Sequence, residues 1–199
     1  MAQLTCKDLS LGYEGHVILS GLNFSVSAGD YLCIVGENGS GKSTLMKVLS
    51  GVYHADEGSG EILYEGHPVR YSNPNEAKKE GIILIFQELS LVMQLTVAEN
   101  LSLGSLPKKG RQIDWKKMNE DAQAVLDELE CPAKPTDMVS SLPIAQQQMV
   151  DIAKALSYNP KIIIMDEPTD SLTNEDIVVL FEIVRQLKKD GITVIYISH

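Results

Sequence analysis

The sequence has 199 residues, 44% hydrophobic and 22% charged, with a formal net charge of −10. That length buries a sizeable core as one domain with room for a subdomain. The acidic balance excludes a sequence-independent grip on nucleic acid, which needs clustered Lys and Arg.

No apolar run reaches the length of a bilayer span, and Met1–Ser10 lacks the basic and apolar regions of a secretory signal. The expectation is a cytosolic chain. Cys6, Cys33 and Cys131 have neither disulfide nor metal spacing, so reduced, mostly buried thiols are expected.

The chain opens on apolar, strand-like pieces at Leu4–Leu9, Val17–Leu19 and Leu22–Val26, with Gly12, Gly15, Gly21 and Gly29 as turn residues. Strands in close succession without helices predict an antiparallel sheet. Tyr13 falls in one of its turns, where an aromatic either packs or stacks on a base.

The apolar run Tyr31–Val35 then leads into Gly36-Glu37-Asn38-Gly39-Ser40-Gly41-Lys42-Ser43-Thr44, and a helix-like run follows from Leu45. This is G-x-x-x-x-G-K-[ST] in its required strand–loop–helix setting. Glycines there bring bare N–H groups up to phosphate oxygens, and the helix start adds its positive dipole end. Lys42 can reach β- and γ-phosphates and Ser43 can ligate Mg²⁺. The chain is expected to bind a nucleoside triphosphate.

Glu61–Tyr64 and Val69–Tyr71 read as a hairpin around Glu65–Pro68, and Pro74–Glu80 as a short helix. The buried strand 82–86 exits at Gln87, which either caps the strand or meets Mg²⁺ or water. Thr96 and Asp114 are candidate helix caps, with Met118, Ala122, Val125, Leu126 and Leu129 forming a buried stripe on the second helix. Between them, Lys108-Lys109-Gly110-Arg111 reads as a solvated Pro/Gly loop.

Leu142-Pro143-Ile144-Ala145-Gln146 enters a helix that runs to Leu156, with Pro143 in its first turn. Ile162–Asp166 is a buried strand tipped by Asp166, suited to Mg²⁺, and Glu167, suited to orienting a water. A helix from Asn174 to about Lys189 and a last strand, Ile192–Ile197, bring the chain to Ser198-His199.

Together these pieces resemble the ATP-binding cassette of ABC transporters, and within that family the sugar-importer ATPases with two cassettes in one polypeptide. The resemblance spans the whole chain. It implies an α/β fold: a RecA-like P-loop NTPase core, an antiparallel β subdomain at 1–30 and 60–72, and a helical subdomain at about 88–158. It matches Tyr13 to the adenine-stacking aromatic, Gly36–Thr44 to the phosphate loop, Gln87 to the glutamine loop, and Leu142–Gln146 to the signature loop. Asp166 and Glu167 match the end of the Walker B strand, Asp170–Thr173 the D-loop, and His199 the switch histidine. Because it stops there, the resemblance implies a single cassette incomplete at its C-terminal end.

What the family implies is an ATPase using ATP and Mg²⁺, with Ser43, Gln87 and Asp166 around the metal and Glu167, His199 and Gln87 in catalysis. Its partners would be a second cassette, an integral membrane permease contacted near Gln87–Asn100 through Leu89, Leu91 and Met93, and indirectly a substrate-binding protein, with no nucleic acid. The site of action would be the inner face of the cell membrane. Two departures stand out: Pro143, Ile144 and Ala145 replace the Ser-Gly-Gly of the family's signature, and Thr173 replaces the D-loop's aspartate. Pro143 lacks the N–H and hydroxyl that would bind a partner's γ-phosphate, which predicts a weakened site there. The alternative is a soluble cassette working on a ribosome or DNA complex. A small-molecule kinase ranks third, since Glu167 favours water over another acceptor.

Overall fold

The structure, a computed structural model, describes residues 2–13, 16–54, 60–169 and 172–198, apart from the side chains of Ala2, Tyr13 and His16. The chain forms two compact units, Met1–Leu84 with Pro160–Glu167 and Val184–His199, and Ile85–Asn159 with Pro168–Ile183.

In the first unit, β1 (Ala2–Tyr13) pairs antiparallel with β2 (His16–Ser27) and, on its other side, with β4 (Glu61–Tyr64). The three short opening pieces of the sequence are therefore two long strands. Gly12 and Gly21 lie inside them, where the register shifts rather than turns. Side chains make up the bonds lost at these irregularities: Asn23 Oδ1 accepts from the Asp8 N–H at 2.9 Å and Ser10 Oγ from the Gly21 N–H at 3.1 Å.

The hairpin after β4 is tighter than expected. Its second strand, β5, is His67–Pro68, and Glu65 and Gly66 form a two-residue turn at φ 49 and 84. Two consecutive positive φ angles match the turn to the right-handed twist of its strands.

The parallel sheet has the order β3 (Tyr31–Val35), β10 (Thr193–Ser198), β9 (Ile162–Asp166), β6 (Ile82–Ile85). β9 and β10 are buried on both faces, which is why they read as unbroken apolar runs. One core joins both sheets to α1 (Lys42–Leu49). Leu4, Cys6 and Leu11 of β1 share it with Met46 and Leu49 of α1 and with Ile164 and Ile195 of the parallel strands. Thr193, fully buried, ties three places together: its Oγ1 accepts from the Gly29 N–H at 2.9 Å and donates to Gln3 Oε1. Of the thiols, Cys6 and Cys131 are buried; Cys33 is exposed because β3 is an edge of this sheet among the described residues.

The second unit packs α3 (Val97–Leu101), α4 (Trp115–Glu128) and α5 (Ile144–Leu156) on one another. Thr96 and Glu99 form a reciprocal capping box at the head of α3. The N–H and hydroxyl of Thr96 hold the Glu99 carboxylate below its usual range. The α4 stripe is buried through Met118, Ala122, Leu126 and Leu129. Lys108–Lys109 is not an open loop but β7, paired with β8 (Gln112–Ile113) across Gly110. α6 (Asn174–Lys189) starts at Thr173, whose hydroxyl and N–H are exchanged with Asp176 in a second capping box. At the position of the departed D-loop aspartate, the threonine thus serves as a helix cap.

Candidate functional site

Register brings the site residues to one edge of the parallel sheet. Ser198 lies opposite Val35 and Ile197 opposite Asp166, so β3, β9 and β10 end together. Carboxyl ends of parallel strands are where open α/β sheets bind ligands.

From Val35 the chain turns through Gly36–Gly41. Gly39 and Gly41 take φ of 79 and 90, outside what other L-residues readily adopt. At Gly41 a Cβ would also sit 2.7 Å from Ile18 Cγ2 and 2.8 Å from Leu19 Cγ. Gly41 is the N-cap of α1, with no side chain capping it, and the first helical bond runs from Leu45 N–H to Gly41 O at 2.9 Å. The N–H groups of Lys42, Ser43 and Thr44 therefore have no partner within the helix. The result is an anion cradle.

Lys42 is buried and folds back over this loop. Its Nζ donates to Gly36 O at 2.6 Å and Glu37 O at 2.9 Å. An ammonium has three donors, so one is left over. Ser43 Oγ donates to Asp166 Oδ1 at 3.1 Å, and Asp166 is buried at the tip of β9. A hydroxyl and a carboxylate this close are hard oxygen donors of the kind Mg²⁺ takes, in ones and twos, alongside phosphates.

Glu167, next in the chain, is half-buried with φ 47, a left-handed conformation that costs a glutamate of order 1–3 kcal/mol.

Other sequence-derived residues lie outside the described side chains of this unit. Tyr13 ends β1 opposite His16, with its side chain outside the described residues; Asp170 and His199 also lie outside them. Gln87 belongs to the second unit and is exposed.

The loop Leu142–Gln146 also lies in the second unit. Pro143 is the N-cap of α5 at φ −56 and ψ 153, one residue ahead of the helix rather than in its first turn. A serine there could cap the helix; proline offers no side-chain acceptor and α5 has no side-chain cap, while the Gln147 N–H makes the first helical bond to Pro143 O at 3.0 Å and Gln147 Nε2 donates to Leu142 O at 2.8 Å. Ile144 projects outward, 42% exposed.

Sequence reasoning missed what braces this second loop. Asn100 is fully buried on α3. Its Oδ1 accepts from Val92 N–H at 2.8 Å, and its Nδ2 donates to the carbonyls of Val92 and Thr96 at 3.0 Å each. It thereby fixes the chain after Gln87, and that chain accepts backbone bonds from Val139 to Leu95 and from Ser140 to Met93, just before Leu142. Further along, Ser90 Oγ donates to Asp151 Oδ1 at 2.8 Å, and Lys154 Nζ donates to Ser90 O. Asp151 is buried with its second oxygen unpartnered, and burial pushes its carboxyl above the usual range against the opposing pulls of Ser90 and Lys154. An asparagine and an aspartate inside otherwise apolar helix faces were the only available signal.

The described helices include none long and apolar enough to cross a membrane. The family profile described as "ABC transporter" matches residues 19–170. The chain is 45% identical over 196 residues to the galactose/methyl galactoside import ATP-binding protein MglA of Clostridium perfringens, covering 98% of this chain and 38% of that one. It thus spans little more than a third of the curated relatives it matches. Among solved structures, the ADP conformation of MJ1267, an ATP-binding cassette of an ABC transporter, superposes with a TM-score of 0.87 at 31% identity, covering 100% of this chain and 82% of that one. A dimeric post-hydrolysis state of the cassette MJ0796 bound to ADP and Pi superposes with a TM-score of 0.81 at 26% identity, covering 98% and 88%. With its phosphate loop, strand-end acids and sheet order, the chain belongs to the ABC transporter family.

Proposed function

We propose that this chain is the ATP-binding cassette of an ATPase that powers import of a sugar through a membrane permease. The observation that carries the reading is the joint geometry of Lys42, folded over the Gly36–Gly41 loop, and Ser43, bonded to Asp166. The printed names of the relatives at 45% identity support the sugar.

In this reading the free N–H groups at the head of α1 and the ammonium of Lys42 hold the β- and γ-phosphates. Ser43 and Asp166, with Gln87, hold Mg²⁺, which supplies charge neutralisation on the phosphate oxygens. The Glu167 carboxylate aligns a water and takes its proton as the oxygen attacks the γ-phosphorus. The bond from that phosphorus to the β,γ-bridging oxygen breaks, leaving ADP and phosphate. Tyr13 stacks on the adenine and His199 contacts the γ-phosphate.

The Leu142–Gln146 loop serves the nucleotide of a second cassette; that the solved cassette MJ0796 is dimeric with ADP and Pi supports a second cassette as partner. Pro143 offers it neither N–H nor hydroxyl, so this chain's own phosphate loop is the stronger half of the pair. The protein works on the cytoplasmic face of the membrane through its permease, receives sugar indirectly from a binding protein, and engages no nucleic acid.

The test is Mg·ATP binding and phosphate release, comparing wild type with Lys42→Ala and Glu167→Gln. Lys42→Ala should weaken binding by at least about tenfold. Glu167→Gln should bind normally and release little phosphate. Wild-type affinity in Lys42→Ala would overturn the site; co-isolation with a permease and sugar-stimulated turnover test the transport reading separately.

A further inference from the structure

Residues 106–117 carry an arrangement that the nucleotide chemistry does not use. β7 and β8 place Lys108 opposite Ile113 and Lys109 opposite Gln112 around Gly110 at φ 67. The Asp114 N–H donates to Pro107 O at 2.9 Å, which closes the base of the hairpin between Leu106 and Trp115. Both of these flanking residues face water, Leu106 at 43% exposure and Trp115 at 54%. Lys108, Lys109 and Arg111 are exposed, and none of them has a carboxylate within ion-pair distance among the described residues. Lys116 and Lys117, by contrast, are paired with Glu120 and Asp121 along α4. Positions 108–117 hold five of the chain's 17 Lys and Arg residues in a protein of net charge −10.

A hairpin that only joined α3 to α4 would gain nothing by exposing the chain's single tryptophan beside unpaired cations. A lipid surface uses both chemistries at one depth. Aromatic rings settle at the headgroup level, and long basic side chains reach the phosphates while their stems stay in apolar surroundings. Screening at physiological salt weakens repulsion from acids more than about 8 Å away; of the acids close in sequence, Asp114 caps α4 and Glu120 and Asp121 are paired with Lys116 and Lys117. A duplex nucleic acid would leave Leu106 and Trp115 without an apolar partner.

We infer that the 106–117 hairpin is a membrane-surface anchor, in which Lys108, Lys109 and Arg111 bind anionic phospholipid headgroups and Trp115 and Leu106 enter the interface.

The test is co-sedimentation with phosphatidylcholine vesicles, with and without about one-third phosphatidylglycerol, read together with Trp115 emission. Binding to anionic vesicles should exceed binding to neutral ones by about tenfold or more at low salt, with a blue shift, and should fall about tenfold when the salt is raised several-fold. The triple variant Lys108→Glu, Lys109→Glu, Arg111→Glu should lose it while retaining wild-type Mg·ATP affinity, which also reports folding. Trp115→Ala should weaken binding severalfold. Equal binding to neutral vesicles, binding retained in the triple variant, or no vesicle binding with capture by polyglutamate or RNA instead would each overturn the anchor. None of these results bears on the Lys42→Ala outcome, so the two readings fail independently.

Discussion

Asn100→Ala tests whether the brace between the two loops of the second unit is as consequential as its geometry. The variant deletes three hydrogen bonds from a fully buried side chain. Two of the lost bonds leave no orphan: Val92 O still accepts from Leu95 N–H at 3.1 Å, and Thr96 O still accepts from the Asn100 N–H at 3.0 Å. The Val92 N–H keeps no other bond among the described residues. At about 1 kcal/mol for each bond, the expected loss is about 3 kcal/mol. With about 2.1 cal/mol/K per residue of unfolding entropy over 199 residues, that lowers the melting temperature by about 7 °C. Asn100→Asp sharpens the test. It keeps the acceptor for Val92 but sets a carboxylate against two carbonyls, so it should melt lower than wild type at neutral pH and recover as acid protonates it. Urea unfolding and thermal melts of wild type and both variants measure this. A loss under about 0.5 kcal/mol in Asn100→Ala, or an Asn100→Asp curve independent of pH, would refute the reasoning.

Three further outcomes follow from the geometry. Burial raises the Asp151 carboxyl, so its stabilising contribution is full below its unfolded pKa and is lost as pH rises through the folded value; Asp151→Asn should therefore be the more stable protein at pH about 8, with the advantage shrinking towards pH about 4, and a less stable variant at the higher pH in urea titrations contradicts this. Gly41→Ala meets both a positive φ and side chains at 2.7 and 2.8 Å, whereas Gly39→Ala meets only the φ, with nothing within 4 Å. Gly41→Ala should cost about 1–3 kcal/mol in denaturant unfolding and exceed Gly39→Ala, and equal costs would refute the packing argument. Replacing Pro143→Ser, Ile144→Gly and Ala145→Gly together should raise ATP turnover, since it restores N–H and hydroxyl donors to the loop; unchanged turnover sinks the idea of a weakened partner site.

How much the sequence determined depended on how local the physics is. The phosphate loop was legible because its chemistry is written in consecutive residues: glycines where the backbone must bend, then Lys42 and Ser43 where α1 begins. Asp166 and Glu167 were legible for the same reason, as polar residues ending an apolar run. The caps Thr96 and Asp114 were too, each accepting from the N–H three residues ahead. Local rules failed where a partner far along the chain supplied the bond. Gly12 and Gly21 looked like turns but sit inside strands, because cross-strand pairing and the side chains of Ser10 and Asn23 satisfy the backbone there. Lys108–Lys109 looked like a solvated loop but pairs with Gln112–Ile113, only three to five residues on, a pairing that the polar spacing did not signal.

Only the tertiary structure decided which residues share the strand-end edge. Parallel register sets Ser198 against Val35, far away in the chain, and Ile197 against Asp166, and Ser43 comes within 3.1 Å of Asp166 from 123 residues away. Tertiary structure alone also made Asn100 and Asp151 matter. A buried polar group takes its meaning from partners distant in sequence, and no periodicity or spacing records those.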